Sequence, residues 1–428
     1  MGVRTGSANL PLHGGHVPAW LASRMAALGR VIVEAILVHY GRDELLRRLS
    51  HPFWFQSFGA VMGMDWHSSG ITTSVVGALK RGLSPIQHEI GLYVCGGRGK
   101  HSRRTPAELA SVGDRTGLDG DALAYSSRLV AKVDSAAVQD GYDLYLHAFI
   151  VGADGKWCVV QQGMNAVSRE ARRYHWLSEN LDSFLDSPHV GIEGRNLGAI
   201  VNLADARADR NRRAELELLR EGPDKTIAVL KRLGGGRRAN TALSLFPELD
   251  APSEPAIEIP PPLPHLQMPS HHEVRASDVV LRRLHGTLAA AAERAPKDFT
   301  ELLMTPGVGA RTIASLATVA EVVHGAPSRF SDPARFSMAH GGKDGHPFPV
   351  PIDVFDRTIR VMKDAVASAK LGNSDKLHAI RQLDVQARQM ESIATGPGFD
   401  EFVRSERSNS AGYGGRTVGK PNGFDSRR

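Results

Sequence analysis

A chain of 428 residues, 42% of them hydrophobic, is long enough for two or three domains with real cores. Its net charge of +6 favours polyanionic partners, and with only Cys95 and Cys158 present it has neither a disulfide framework nor a cysteine-rich zinc site, as suits a reducing cytoplasm. No signal-like apolar core opens it, no run reaches the ~18 apolar residues of a membrane span, and Gly6 stands where a myristoylation signal needs Ser or Thr, so a soluble cytoplasmic protein is expected.

In chain order, residues 5–16 are polar and glycine-rich, with His13 and His16, and read as a loop lining a site. Apolar positions at helix spacing from Trp20 to Leu37 predict a helix, and Gly41-Arg42-Asp43 breaks it into a second carrying Leu45, Leu46 and Leu49. The aromatic block Phe53 to Phe58 fits a core better than a stacking platform. Asp65-Trp66-His67-Ser68-Ser69-Gly70 is a polar cluster before a helix over Ile71 to Leu83. Glu89 to Cys95 predicts a strand, and Gly96 to Arg104 a basic, flexible loop at its end, placed to meet phosphate but without Walker spacing.

A helix is predicted from Ala122 to Val138, then a β-hairpin of Tyr142–Val151 and Lys156–Gly163 around Asp154-Gly155. Ser168 to Asn180 reads as a Ser-capped segment, basic on one face, and 202–233 as an exposed, charge-laced helix. Gly234 to Gly236 and the run Pro260-Pro261-Pro262-Leu263-Pro264 mark a spacer. The fold class expected is an α/β amino-terminal domain (1–233) with a small sheet and several helices. After the spacer (234–276) comes an all-α carboxy-terminal domain (277–395) with helices from Ser277, Ile352 and Asn373, then a disordered tail (396–428).

Leu302-Leu303-Met304-Thr305-Pro306-Gly307-Val308-Gly309-Ala310-Arg311-Thr312 resembles a helix-hairpin-helix, a module that holds nucleic-acid backbone. Gly307 and Gly309 permit a tight turn, and the amides of Val308, Gly309 and Ala310 would open the second helix toward a phosphate beside Arg311. Ile313, Leu316, Ala317 and Ala320 form the buried stripe of that helix.

Leu10-Pro11-Leu12-His13-Gly14-Gly15, Asp65 to Gly70 and Lys132-Val133-Asp134-Ser135-Ala136-Ala137-Val138-Gln139-Asp140-Gly141 together resemble one family, with support from Val160 to Met164 and Ala339 to Pro347. It is the bacterial and archaeal family known as the domain of unknown function number seven-six-three. The resemblance implies a group of metal-dependent nucleases and assigns no catalytic residue. Chemistry must place the site. Phosphodiester hydrolysis with Mn²⁺ or Mg²⁺ needs converging carboxylates, for which Asp65, Asp134 and Asp140 stand in the most polar clusters. His67 and His147 are candidate bases, and Lys132 and Lys100 candidate charge stabilisers. Lys100, Arg103, Arg104, Gly307, Val308, Gly309, Arg311 and Lys343 are the candidate nucleic-acid contacts, with DNA expected over RNA. Two alternatives stand beside this: a base-excision glycosylase using Asp344 or Asp353, and a non-catalytic DNA binder. A symmetric homodimer is the commonest assembly for such a chain.

Overall fold

The computed structural model describes residues 10–11, 19–64, 70–235, 281–334, 352–368, 376–382 and 385. After β1 (Leu10–Pro11) come α1 (Ala19–Ser50), which breaks at Gly41 where φ is +81°, α2 (Pro52–Val61), α3 (Gly70–Leu83) and the single turn α4 (Gln87–Ile90). Strand β2 (Leu92–Arg98) leads into α5 (Lys100–Thr116) and α6 (Gly120–Lys132), then β3 (Val138–Gln139), β4 (Asp143–Gly152), β5 (Trp157–Asn165), β6 (Glu170–Leu177), β7 (Gly191–Glu193) and β8 (Ala199–Asn202). Helices α7 (Asp209–Arg220), α8 (Pro223–Gly235), α9 (Leu281–Arg294), α10 (Phe299–Met304) and α11 (Ala310–His324), strand β9 (Arg329–Ser331) and helix α12 (Ile352–Ser368) follow.

The main sheet is antiparallel in the order β1-β6-β5-β4-β2, with β7 also on β6. Both of its faces are covered, so its central strands are apolar on both sides. Leu146, Ala148 and Ile150 of β4 pack with α1, α2, α3 and α12, whereas Phe149 and Val151 pack with helices α5 to α11. The result is a mixed α/β fold in three layers. A second sheet, β3-β8-β9, joins residues 199–202 to 329–331.

The β-hairpin around Asp154-Gly155, the break at Gly41 and the helices after Gly70 and from Ile352 are present. Five other expectations change. The basic loop is the start of α5, because β2 runs on to Arg98 and the helix opens at Lys100. The helix expected to Val138 ends at Lys132 and passes into a π-turn over Val133–Ala137. Ser168 to Asn180 contains β6: Arg172 and Arg173 point to opposite faces of the sheet and find buried acids on each, so the basic run does not form one helical face. Helices α7 and α8 are not simply an exposed surface, since Asn211, Arg212 and Glu215 are buried. The segment after the spacer contains strand β9 as well as helices, and its Leu302, Leu303, Ile313 and Leu316 belong to the same hydrophobic cluster as Leu129, Val159 and Trp176. The residues on either side of 236–280 therefore complete a single core. The tail from 396 lies outside the described residues, as does much of the helix expected from Asn373.

Candidate nucleic-acid interface and its buried support

Helix α10 starts at the Asp298 cap, whose side chain accepts from the Glu301 amide at 2.8 Å, and ends in Thr305. Gly307 then takes a left-handed φ of +86°, exposed at the tip, and Gly309 is extended at the N-cap of α11. Gly309 supplies no side-chain cap, so the first amides of α11 have no intrahelical acceptor. Val308 does not take the role expected of it. Its side chain is buried, its N–H donates to the Thr305 carbonyl at 3.1 Å, and its own carbonyl accepts from Lys132 Nζ at 2.5 Å. Val308 is thus the plug that seats the turn, and Lys132 is the strut beneath it. Burial lowers the Lys132 ammonium from its ordinary range. Gln139 adds a second tie, donating from Nε2 to the Ala310 carbonyl at 2.9 Å. Arg311 is exposed on the first turn.

The other basic cluster stands at the start of α5. Helices α5 and α6 pack antiparallel through glycine: a Cβ on Gly113 would lie 2.6 Å from Gly120 Cα, and one on Gly120 would lie 2.9 Å from Ala110 Cα. Lys100, Arg103 and Arg104 are exposed, and the first turn of α5 carries no acid. Arg128 is exposed on α6 one turn before Lys132; its position four residues ahead of Lys132 was the signal that could have found it.

The carboxylates Asp134 and Asp140 are buried and fully engaged. Asp134 sits in the π-turn, a feature that clusters at functional positions. It accepts from Gln161 Nε2 at 2.5 Å, Trp176 Nε1 at 2.9 Å and His189 Nε2 at 2.5 Å. Because Gln161 donates to Asp134, its carbonyl oxygen faces His147 Nδ1 at 2.6 Å, which assigns that nitrogen the proton; Nε2 then accepts from Ser127 Oγ at 2.8 Å. Burial holds His147 below its ordinary value, against Gln161 and Asp134, which favour its proton. His189 belongs to this chain of bonds, and nothing in its Pro188-His189 loop sequence marked it.

Asp140 is in a separate network. It accepts from Arg172 at 2.9 Å, from the Tyr174 hydroxyl at 2.6 Å and from the Tyr142 amide at 3.1 Å. Burial raises its carboxyl to about 6, with Arg172 and Tyr174 pulling it down and Asp332 pushing it up. Arg172 also holds Asp332, at 2.7 Å, and so fastens the segment after β9 to β6.

Among the described residues no three His, Cys, Asp or Glu side chains converge on a point where a metal ion could bind. Asp134 and Asp140 spend their oxygens on separate donors, so among the described residues these two carboxylates do not form the expected Mn²⁺ or Mg²⁺ site. Asp65, His67, Lys343 and Asp344 lie outside the described residues, as does the side chain of Asp353. The helices on either side of Asp65 and His67, α2 and α3, pack on the face of the sheet opposite Asp134 and Asp140. That face has its own buried polar group. Arg173 pairs with Glu193 and donates to Gln56 Oε1 at 2.8 Å and Thr72 Oγ1 at 3.1 Å, and Oε1 of Glu193 has no hydrogen-bond partner.

No described helix is long and apolar enough to cross a membrane. No curated protein and no solved structure matches the chain. One family model does, over residues 6–350, that of the protein of unknown function DUF763. With most of its length inside that match, the chain belongs to the DUF763 family.

Proposed function

We propose that the protein binds the phosphate backbone of DNA through the α10–α11 turn, with the basic start of α5 as a second contact. The observation that carries this is the Lys132 to Val308 bond at 2.5 Å, which seats a helix-hairpin-helix-like turn on the end of α6, one turn from the exposed Arg128. The open amides of α11, Gly307 at the tip and Arg311 supply one set of contacts, and the start of α5 a second, some distance along the same backbone. Such contacts read charge and shape and carry little sequence preference. The test is a mobility-shift titration of duplex and single-stranded DNA. Arg311→Glu and Lys100→Glu should each weaken binding about tenfold or more, and a chain that binds DNA equally well with both substitutions would remove the reading.

Metal-dependent hydrolysis is a second reading, favoured by the buried Glu193 with its unpartnered oxygen on the face flanked by α2 and α3. On this reading Asp65 and His67, with Glu193, replace Asp134 and Asp140 as the candidates. Plasmid nicking that requires Mn²⁺ and is lost in Asp65→Ala supports it. Nicking that survives Asp65→Ala and Glu193→Gln together overturns it, and abasic sites formed without metal would favour a glycosylase.

A further inference from the structure

One edge of the main sheet is open, and its backbone can be followed residue by residue. Strand β2 ends the order β1-β6-β5-β4-β2. Ala153 N–H donates to the Gly91 carbonyl and Gly99 N–H to the Tyr145 carbonyl, both at 2.8 Å, in the register that pairs Leu92 with Gly152. In an antiparallel pair such residues alternate, so the odd-numbered residues of β2 face β4, and Leu92, Val94 and Gly96 turn their N–H and C=O outward. Gly96 is closed off: its amide donates to Glu108 Oε2 and its carbonyl accepts from Lys80 Nζ, both at 2.8 Å, while Lys80 and Glu108 pair at 2.6 Å. Leu92 is fully buried, whereas Val94 is partly exposed and faces a groove of about 550 Å³ between α3, β2 and α5.

The wall on the α5 side presents Arg104, Glu108, Ser111 and Arg115, one face of the helix. Arg115 stands about 10 Å along the axis from Glu108, the length of about three extended residues. Glu108 is neutralised by Lys80, which leaves this wall positive. The opposite wall carries Leu83 from the end of α3.

We propose that this groove accepts a short extended peptide of alternating acidic and apolar residues, added to β2 as a further strand. Its backbone would pair with the outward groups of Val94, its acids would face Arg115, and its apolar side chains would face Leu83. The Lys80–Glu108 clip at Gly96 sets where the added strand must stop. An alternating donor and acceptor edge matches a peptide; nucleic-acid backbone would set phosphate oxygens against the outward carbonyl of Val94.

The test uses the full chain and a fluorescein-labelled, acetylated peptide of three Glu-Val repeats, followed by fluorescence anisotropy. Saturable binding is expected, with slowed hydrogen exchange at the Val94 amide. Arg115→Glu should weaken it at least tenfold. Val94→Pro, which removes an outward amide that β4 does not use, should do the same with an unchanged circular dichroism spectrum. N-methylation of alternate peptide amides should abolish binding. Absence of saturable binding, equal binding of the N-methylated peptide, or an Arg115-dependent site that takes a dT oligonucleotide in place of the peptide would overturn the proposal.

Discussion

Asp134 shows how a residue suited to catalysis can be committed to structure. Three donors, from Gln161, Trp176 and His189, point at its two oxygens inside a core where no water is at hand to replace them. Asp134→Ala would leave all three unpaired and should lower unfolding free energy by about 3 kcal/mol or more in urea titration. A loss below about 1 kcal/mol would mean that the network carries no such weight. His147 gives the corresponding pH behaviour. Its folded value lies below the unfolded one because burial disfavours the charged ring. Below its ordinary value the unfolded chain therefore binds a proton that the native state refuses, and stability falls as pH drops. His147→Gln removes that proton, so between pH 7 and pH 5 the variant should lose less stability than the parent in paired denaturation curves. Asp140 has the opposite sign: raised to about 6, it favours the fold at low pH, and its contribution is lost as pH rises from about 4 to 6.

At the scale of elements, the α10–α11 turn and the α5–α6 pair rest on individual glycines. Gly307 at φ +86° is in the left-handed region, whereas Gly309 at φ −145° is extended backbone open to other residues. Gly307→Ala should cost about 1 kcal/mol in thermal or urea unfolding and Gly309→Ala much less. Equal costs would mean that the turn has another shape. Gly120→Ala pushes a methyl against the Ala110 backbone and should cost about 1–3 kcal/mol. These elements also show what was legible in the sequence. Asp154-Gly155 between apolar runs, the Gly41 break and the Pro306-Gly307 turn were readable because each is decided by its neighbours in the chain. Strand β6 was not, because Arg172 and Arg173 look like a solvated face until Asp332, 160 residues away, and Glu193 bury them as ion pairs. Val308 and Lys132 were misread for a similar reason. Their roles follow from a contact between two segments that nothing local announces.

For the molecule as a whole, the DNA-binding proposal predicts a steep dependence on salt. If the two basic elements together engage about six phosphates, affinity should fall about a thousandfold between 50 and 200 mM salt. A shallow slope would leave the hairpin and α5 without a shared ligand. Membership of DUF763 was readable from a few polar motifs. The location of Asp134 and Asp140 on one face of the sheet, with α2 and α3 on the other, was not, because strand order decides it.

The pairing of β8 with β9 and the bond from Lys132 to Val308, 176 residues onward, also bear on how the chain is made. A polypeptide that has left the ribosome only as far as residue 235 lacks α9 to α11 and would leave exposed the part of its core that they complete. Folding must therefore wait for nearly a hundred further residues, up to Ser331, so the incomplete chain is the form most exposed to aggregation and the one a holding chaperone would meet.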